Sequence, residues 1–343
     1  MATPPTLAER TTLRVGGPAD DWVVARTEAE IVDAVLSADA AGTPVLLLGG
    51  GSNLLVADAG FPGTVVEIAS RGLEAEVADG VVELTIAAGE QWDAVVAHAV
   101  AQGWSGIEAL SGIPGRTGAT PVQNVGAYGQ DVSQTVTSVR VLDRADGEVR
   151  TLEGVDCGFG YRMSRFKADA GRWVVLSVGL RLEASGSGVV RYDELARELG
   201  VAVADRSSVA DIRDRVLLLR ARKGMVLDDA DPDTWSAGSF FTNPVVDEVE
   251  ARRIPEGCPR YPSAFGTKLS AAWLIEHAGI GKGFALSESA PAAISGKHTL
   301  ALTNRGGATA ADIIELARAV KAAVRARFAV ELDIEPTLVG VSI

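Results

Sequence analysis

The run Leu46-Leu47-Leu48-Gly49-Gly50-Gly51-Ser52-Asn53-Leu54-Leu55-Val56 constrains the fold more than any other stretch of the chain. Its apolar ends read as two short strands, and its middle as a loop without Cβ atoms. Successive glycines permit positive φ and let a ligand reach the main chain, while their N–H groups can converge on an anion. A phosphate or pyrophosphate suits such a nest. In Rossmann and P-loop proteins the glycine turn opens a helix whose N-terminus holds the phosphate. Here Leu54, Leu55 and Val56 follow without a capping box, and neither GxGxxG nor GxxxxGK[ST] is present. Taken alone, the run also reads as a glycine-rich hairpin with no ligand.

From Gly112 to Gly129 the chain reads GIPGRTGATPVQNVGAYG, with almost no charge and no helical periodicity. The stretch is too apolar for a solvated linker and too rich in glycine for a core strand. Main chain wrapped around a large flat ligand accounts for both properties. LLGGGSNLLV, SGIPGRTGATPVQNVGAYGQ, FGYRMSRFK, AGSFFTNPVV and LDIEP occur in this order. Together they resemble the UDP-N-acetylenolpyruvoylglucosamine reductase family of bacterial cell-wall precursor synthesis, from Thr11 to about Pro336.

The resemblance implies an α+β chain with an FAD-binding domain of the vanillyl-alcohol-oxidase (PCMH) type over residues 1–206, in subdomains of about 1–68 and 69–206. It implies a smaller α+β substrate-binding domain over 207–328 and a C-terminal strand, 329–343, returning to the FAD domain and the active site. It also implies non-covalent FAD. The cofactor residues would be Gly49, Gly50, Gly51, Ser52 and Asn53 in the first stretch, and Gly112, Pro114, Gly118, Asn124, Gly126, Ala127, Tyr128 and Gly129 in the second.

Composition narrows the function classes. A chain of 343 residues with 47% hydrophobic content is long enough for two or three cores. The formal charge of −13 repels nucleic acid and anionic membrane surfaces, so an anionic ligand must be held by local groups. Cys157 and Cys258, the two cysteines, exclude a disulfide framework and a cysteine-based metal site. No apolar leader and no run near ~18 apolar residues is visible. A cytoplasmic protein, expected to be monomeric, with small-molecule partners and neither nucleic acid nor membrane, is the reading.

Taken in order, the chain predicts a strand at Trp22–Ala25, a helix from the capping box Thr27–Glu30 to about Ala41, and a strand at Val45–Leu48. Strands at Leu73–Ala78 and Val81–Ala87 flank the turn Asp79-Gly80. A helix over Gln91–Gln102 is followed, past the second glycine stretch, by strands near Thr135–Leu142, Val149–Leu152 and Trp173–Glu183. Residues 184–188 read as a junction. Helices are expected at about 208–223, 267–277 and from Thr309 onward, with a closing strand at Val330–Ile334. His98 among valines and alanines reads as structural, and His277 suits a helix C-terminus.

Arg162, Arg165 and Lys167 place three cations in otherwise apolar surroundings. An arginine fork can bind a carboxylate bidentately, and a surface ion pair is the other reading of Arg162. Ser239 lies in a glycine-bounded segment beside two phenylalanines. No Ser-His-Asp constellation is suggested, and GxSxG is absent. Ser239 can serve as a proton donor to a strongly basic enolate carbon, or as a turn residue.

By resemblance, Arg162 takes the substrate's enolpyruvyl carboxylate, and Ser239 and Glu335 join it as catalytic residues. Tyr161, Tyr192, Lys223, Asn243, Lys268 and His298 are implied to bind substrate, with Tyr192 on a loop that closes over the diphosphate. Two departures stand out: Thr117 replaces an aliphatic residue, and the segment from Asp228 to Trp235 is longer than the family's usual connection. The implied reaction is NADPH-dependent reduction of UDP-N-acetylglucosamine enolpyruvate to UDP-N-acetylmuramate. Another flavin oxidase of the same fold, and a non-catalytic nucleotide-sugar binder without flavin, are the alternatives.

Overall fold

The computed structural model describes residues 5–263 and 265–343, which divide into two compact units. Asp20–Gly50 and Pro62–Arg222 form the larger; residues 5–19, Gly51–Phe61 and Lys223–Ile343 form the smaller.

In the larger unit Thr27 caps the helix Glu28–Ala40, its hydroxyl accepting the Glu30 N–H at 3.1 Å. The Glu30 carboxylate reaches past Thr27 to the N–H of Arg26, so the expected box closes one residue further out. The next strand, Val45–Leu48, runs parallel to Phe61–Ile68 with Leu46 opposite Val65, and Ala19–Ala25 completes a three-stranded sheet. An antiparallel five-stranded sheet has the order Glu148–Glu153, Val136–Asp143, Trp173–Glu183, Val81–Ala87, Leu73–Ala78. Asp79 and Gly80 make its tight turn with φ of 50° and 79°, the left-handed pair that a two-residue hairpin needs. Period-2 alternation sends Val82, Leu84 and Ile86 into one core with Val139, Val141, Val178 and Leu180, where they meet Trp92, Val95 and Val96 of the helix Trp92–Ala101.

The helix Val209–Arg222 stays with this unit. Its Ile212, Val216 and Leu219 pack with Leu195 and Ala196 of the helix Asp193–Leu199, so the break falls at 222/223 and not at 206/207. Segments 5–19, 51–61 and 329–343, expected in or returning to the first domain, group with the smaller unit, where Leu54–Val56 pairs in parallel with Thr337–Val339.

The smaller unit is built on the helix Ala310–Phe328. Thr309 and Asp312 form its capping box, and Ile313, Leu316, Val320 and Val324 are its buried face. They share a core with Leu274, Ile275, Ile294, Leu302, Phe240 and Phe241. Two expected elements differ. The helix expected at 267–277 starts at Ala271 behind a Ser270 cap, because Gly266–Leu269 is a strand paired with Val245–Val246 and Arg260–Ser263. The closing strand is Thr337–Val339 rather than Val330–Ile334: Val330 and Leu332 are buried in the core, and only Ile334 makes a bridge, to Phe241.

Candidate active site

The strand Val45–Leu48 ends in glycine at its carboxyl edge, where open α/β sheets bind ligands. A Cβ on Gly50 would stand 2.5 Å from the Gly115 Cα, and one on Gly49 would touch the Arg116 side chain at 3.5 Å. The two glycine stretches thus meet backbone to backbone. Gly50 is required by this approach and not by its φ; the left-handed glycine is Gly51, with φ of 61°. Gly118 is equally confined, its missing Cβ lying 2.5 Å from that of Ala88. Thr117, fully buried, donates its hydroxyl to the Glu90 carbonyl at 3.2 Å, which explains how a polar residue occupies this place.

Arg116 is the cation of the second stretch. Its Nη1 is shielded from solvent with no hydrogen-bond partner among the described residues, and burial, with Arg71 nearby, lowers its pKa. A shielded guanidinium N–H beside a cradle of glycines lacks only an acceptor, and an anion supplies one. The residues present therefore fit a diphosphate-bearing cofactor.

The remainder of the stretch is held from both ends. Asp93 accepts the Gly112 N–H at 2.6 Å and grips both Nη atoms of Arg213 at 2.7 and 2.9 Å. Burial pushes the Asp93 carboxyl up, but Arg213 and the Gly112 N–H outweigh it and hold the group below its usual range. Asn124, left-handed with φ of 48°, donates to the Gly160 carbonyl at 3.0 Å and accepts the Ser133 N–H at 3.0 Å, so its amide ties three loops together. Tyr128 and Gly129, both at positive φ, turn the hairpin that pairs Gly126–Ala127 with Gln130–Asp131. The Tyr128 ring meets Tyr192 edge-on at 5.6 Å, and burial pushes its phenol up to about 12. Tyr192 itself stands at the N-cap of the helix Asp193–Leu199 and is exposed. Pro114 is exposed at the head of the stretch.

Tyr161 and Arg162 form a two-residue turn between Gly160 and Met163, with Arg162 at φ of 52°. A non-glycine residue held there is strained, as functional turns often are. Its guanidinium donates to the carbonyls of Gly126 at 2.9 Å and Asn124 at 3.4 Å. Arg162 is thereby tied to the second glycine stretch.

In the smaller unit a second group assembles. Phe240 accepts the Glu335 N–H at 3.0 Å and Thr242 donates to Asp333 at 3.0 Å, so the segment carrying Ser239 lies antiparallel to the one carrying Glu335. Asn53 joins them, its side chain donating to the Glu335 carbonyl at 3.3 Å, with Gly51 and Ser52 just before it. Ser239 Oγ also stands 3.4 Å from His298 Nε2. That Ser-His pair was not expected. Of the other two histidines, His277 stacks on Trp273 in the last turn of its helix, as expected, whereas His98 is exposed and touches Trp104 edge-on rather than lying within the core. Asn243 Oδ1 accepts the Ala271 N–H at 2.9 Å and so helps to cap a helix, while the Lys268 ammonium sits 5.7 Å above the Tyr261 ring. Lys223 precedes Gly224, which packs against Asp233 and Lys297.

Residues 20–153 match the family described as FAD binding domain, and residues 231–339 match UDP-N-acetylenolpyruvoylglucosamine reductase, C-terminal domain. A UDP-N-acetylenolpyruvoylglucosamine reductase of Cutibacterium acnes is 52% identical over 340 residues, covering 98% of this chain and 90% of that protein. One of Saccharopolyspora erythraea is 55% identical over 346 residues, covering 97% and 94%. The chain belongs to the UDP-N-acetylenolpyruvoylglucosamine reductase family. A crystal structure of this reductase from Thermus caldophilus superposes with a TM-score of 0.65 at 27% identity, covering 98% of this chain and 97% of that one. The reductase fold is α+β, an FAD-binding portion plus the family's C-terminal portion.

Sequence reasoning missed two features of this reductase chain. Arg116 was legible as the one cation within an uncharged stretch, yet only its burial gives it meaning. The Ser239–His298 approach had no signal, because a turn brings together residues far apart in sequence.

Proposed function

We propose that this chain reduces UDP-N-acetylglucosamine enolpyruvate to UDP-N-acetylmuramate at the expense of NADPH, in peptidoglycan precursor synthesis, acting as a cytoplasmic monomer without nucleic acid or membrane partners. Identity above 50% to reductases over nearly the whole length supports the reaction, and the meeting of Gly50 with Gly115 beside the shielded Arg116 carries the cofactor assignment. FAD, when bound, supplies the hydride chemistry between NADPH and the enolpyruvyl carbon.

Gly49, Gly50, Gly112, Gly118 and their neighbours would hold FAD through main chain, with Arg116 as the charged contact. Arg162 binds the enolpyruvyl carboxylate: its left-handed backbone aims the fork, which now rests on two carbonyls that a carboxylate outcompetes. Ser239 delivers a proton from Oγ to the substrate carbon that becomes basic once hydride has been added. Glu335, backbone-paired beside it, helps to stabilise that charge distribution. Tyr161, Tyr192, Lys223, Asn243, Lys268 and His298 bind the nucleotide sugar.

The absorption spectrum of the purified protein tests this reading. A flavin band that NADPH bleaches and UDP-N-acetylglucosamine enolpyruvate restores is expected. A colourless protein would favour the nucleotide-sugar binder, and a band restored only by oxygen would favour an oxidase.

A further inference from the structure

Two features have no role yet in that reaction: the approach of His298 Nε2 to Ser239 Oγ, and the acidic segment Asp228–Trp235. They belong to one construction. His298 sits in the turn 295–301, whose Ser295 is fully buried and accepts the N–H groups of Lys297 at 3.0 Å and His298 at 3.2 Å. The acidic segment grips the same turn from outside. Asp231 pairs with the Lys297 ammonium, and Asp233 accepts the Gly296 N–H at 2.9 Å while pairing with Arg305. The segment is itself folded by Thr234, which accepts the Asp228 N–H at 3.0 Å and donates to the carbonyls of Asp228 and Asp231 at 2.8 Å. It is anchored by Trp235, over which Arg14 lies at 3.9 Å while pairing with Asp229.

We infer that His298 returns a proton to Ser239 Oγ as Ser239 gives its own to the substrate carbon, and that the acidic segment positions the imidazole for it. The inference rests on Ser239 being the proton donor. In the step, the Ser239 O–H bond breaks and a C–H bond forms at the substrate carbon. The electron pair left on Oγ takes the proton of His298 Nε2, and the imidazolium becomes neutral imidazole, to be recharged from solvent. No redox change accompanies it. A serine hydroxyl acting alone would leave an alkoxide in a partly buried site, whereas an imidazolium gives up its proton near neutral pH.

The charges around the turn are arranged for this. Lys297 and Arg305 would disfavour an imidazolium beside them, but Asp231 and Asp233 are paired with them. The Lys297 ammonium holds the Asp231 carboxyl below its usual range, so that compensation persists. From the other elements, Glu276 reaches the turn through the Thr299 hydroxyl, and Glu335 lies beyond Phe240.

Stopped-flow absorbance on the NADPH-reduced holoenzyme tests the inference. Reoxidation by the enolpyruvyl substrate should fall as pH rises through the His298 titration. His298→Gln keeps a hydrogen-bonding side chain and cannot titrate. It should slow this step at low pH by about tenfold or more and flatten the profile. Asp233→Asn should keep the fall but move it to lower pH, because Arg305 is then uncompensated. Independently of turnover, 15N-histidine NMR of the holoenzyme should show a His298 midpoint that moves in Ser239→Ala. A wild-type profile in His298→Gln, or a midpoint indifferent to Ser239→Ala, overturns the inference. Should His298→Gln not fold, Asp233→Asn and the NMR titration decide it. Wild-type enzyme that the substrate does not reoxidise would instead overturn the proposed function.

Discussion

The proposed flavin cradle rests on Gly50 and Arg116 from opposite directions, one by what it lacks and the other by the Nη1 it leaves without a partner among the described residues. Gly50→Ala puts a Cβ 2.5 Å from the Gly115 Cα, so one glycine loop must move. Overpacking of this kind destabilises by about 1–3 kcal/mol. A lowered Tm together with partial loss of flavin is expected, and full occupancy at wild-type Tm would show that the loops are not held in contact. Arg116→Met should leave the flavin-free protein at least as stable, since it removes a partly buried charge. It should weaken FAD binding about 10- to 100-fold, the equivalent of a charged hydrogen bond of about 1.5–3 kcal/mol. Reconstitution with FAD, followed by flavin fluorescence, measures this; unchanged affinity would remove Arg116 from the site.

What could be read from sequence divides along the same physical line. The expectation of a large phosphate-bearing ligand arises at Gly49–Gly51 and Gly112–Gly129, because absent Cβ atoms and absent charge are local properties. Ser239 and His298 could not be joined, because their approach depends on the turn at Ser295 and on the carboxylates that pin it.

At the level of elements, strands and helices with a single periodicity, such as Val81–Ala87 and the apolar face of Ala310–Phe328, lie where expected. Val330–Ile334 has strand periodicity in sequence without forming a ladder, because burial of Val330 and Leu332 looks the same whether or not a strand pairs beside them. Asp143 ties two strand ends of the five-stranded sheet. Its carboxylate takes the Arg172 fork at 2.8 Å through both oxygens and accepts the Ala145 N–H at 3.1 Å. The Arg172 hydrogen bonds pull its pKa from 3.8 down to about 2. A depressed folded-state pKa contributes stability that is present above the unfolded value and lost as pH falls through the folded one. The urea midpoint should therefore drop between about pH 4 and pH 2. The drop should be shallower in Asp143→Asn, and equal slopes would mean that this pair does not contribute to acid sensitivity.

For the whole molecule, a formal charge of −13 means that anionic ligands are held by placed cations and main chain rather than by a general field. Covalent attachment of the flavin is not expected. Both cysteines are buried, and burial pushes the Cys157 thiol up to about 11, so it remains protonated and unreactive. Acid precipitation should release all yellow colour to the supernatant; colour kept in the pellet would contradict this.

The proposed catalytic cycle joins two half-reactions on one protein, and in it Ser239 serves only the second. Anaerobic stopped-flow absorbance of Ser239→Ala follows both steps in one preparation. The account predicts bleaching by NADPH at nearly the wild-type rate and reoxidation by UDP-N-acetylglucosamine enolpyruvate slowed by at least ~10²-fold, the lower end of what a positioned acid contributes. Equal slowing of both steps, or wild-type reoxidation, would contradict it and leave Ser239 as a turn residue.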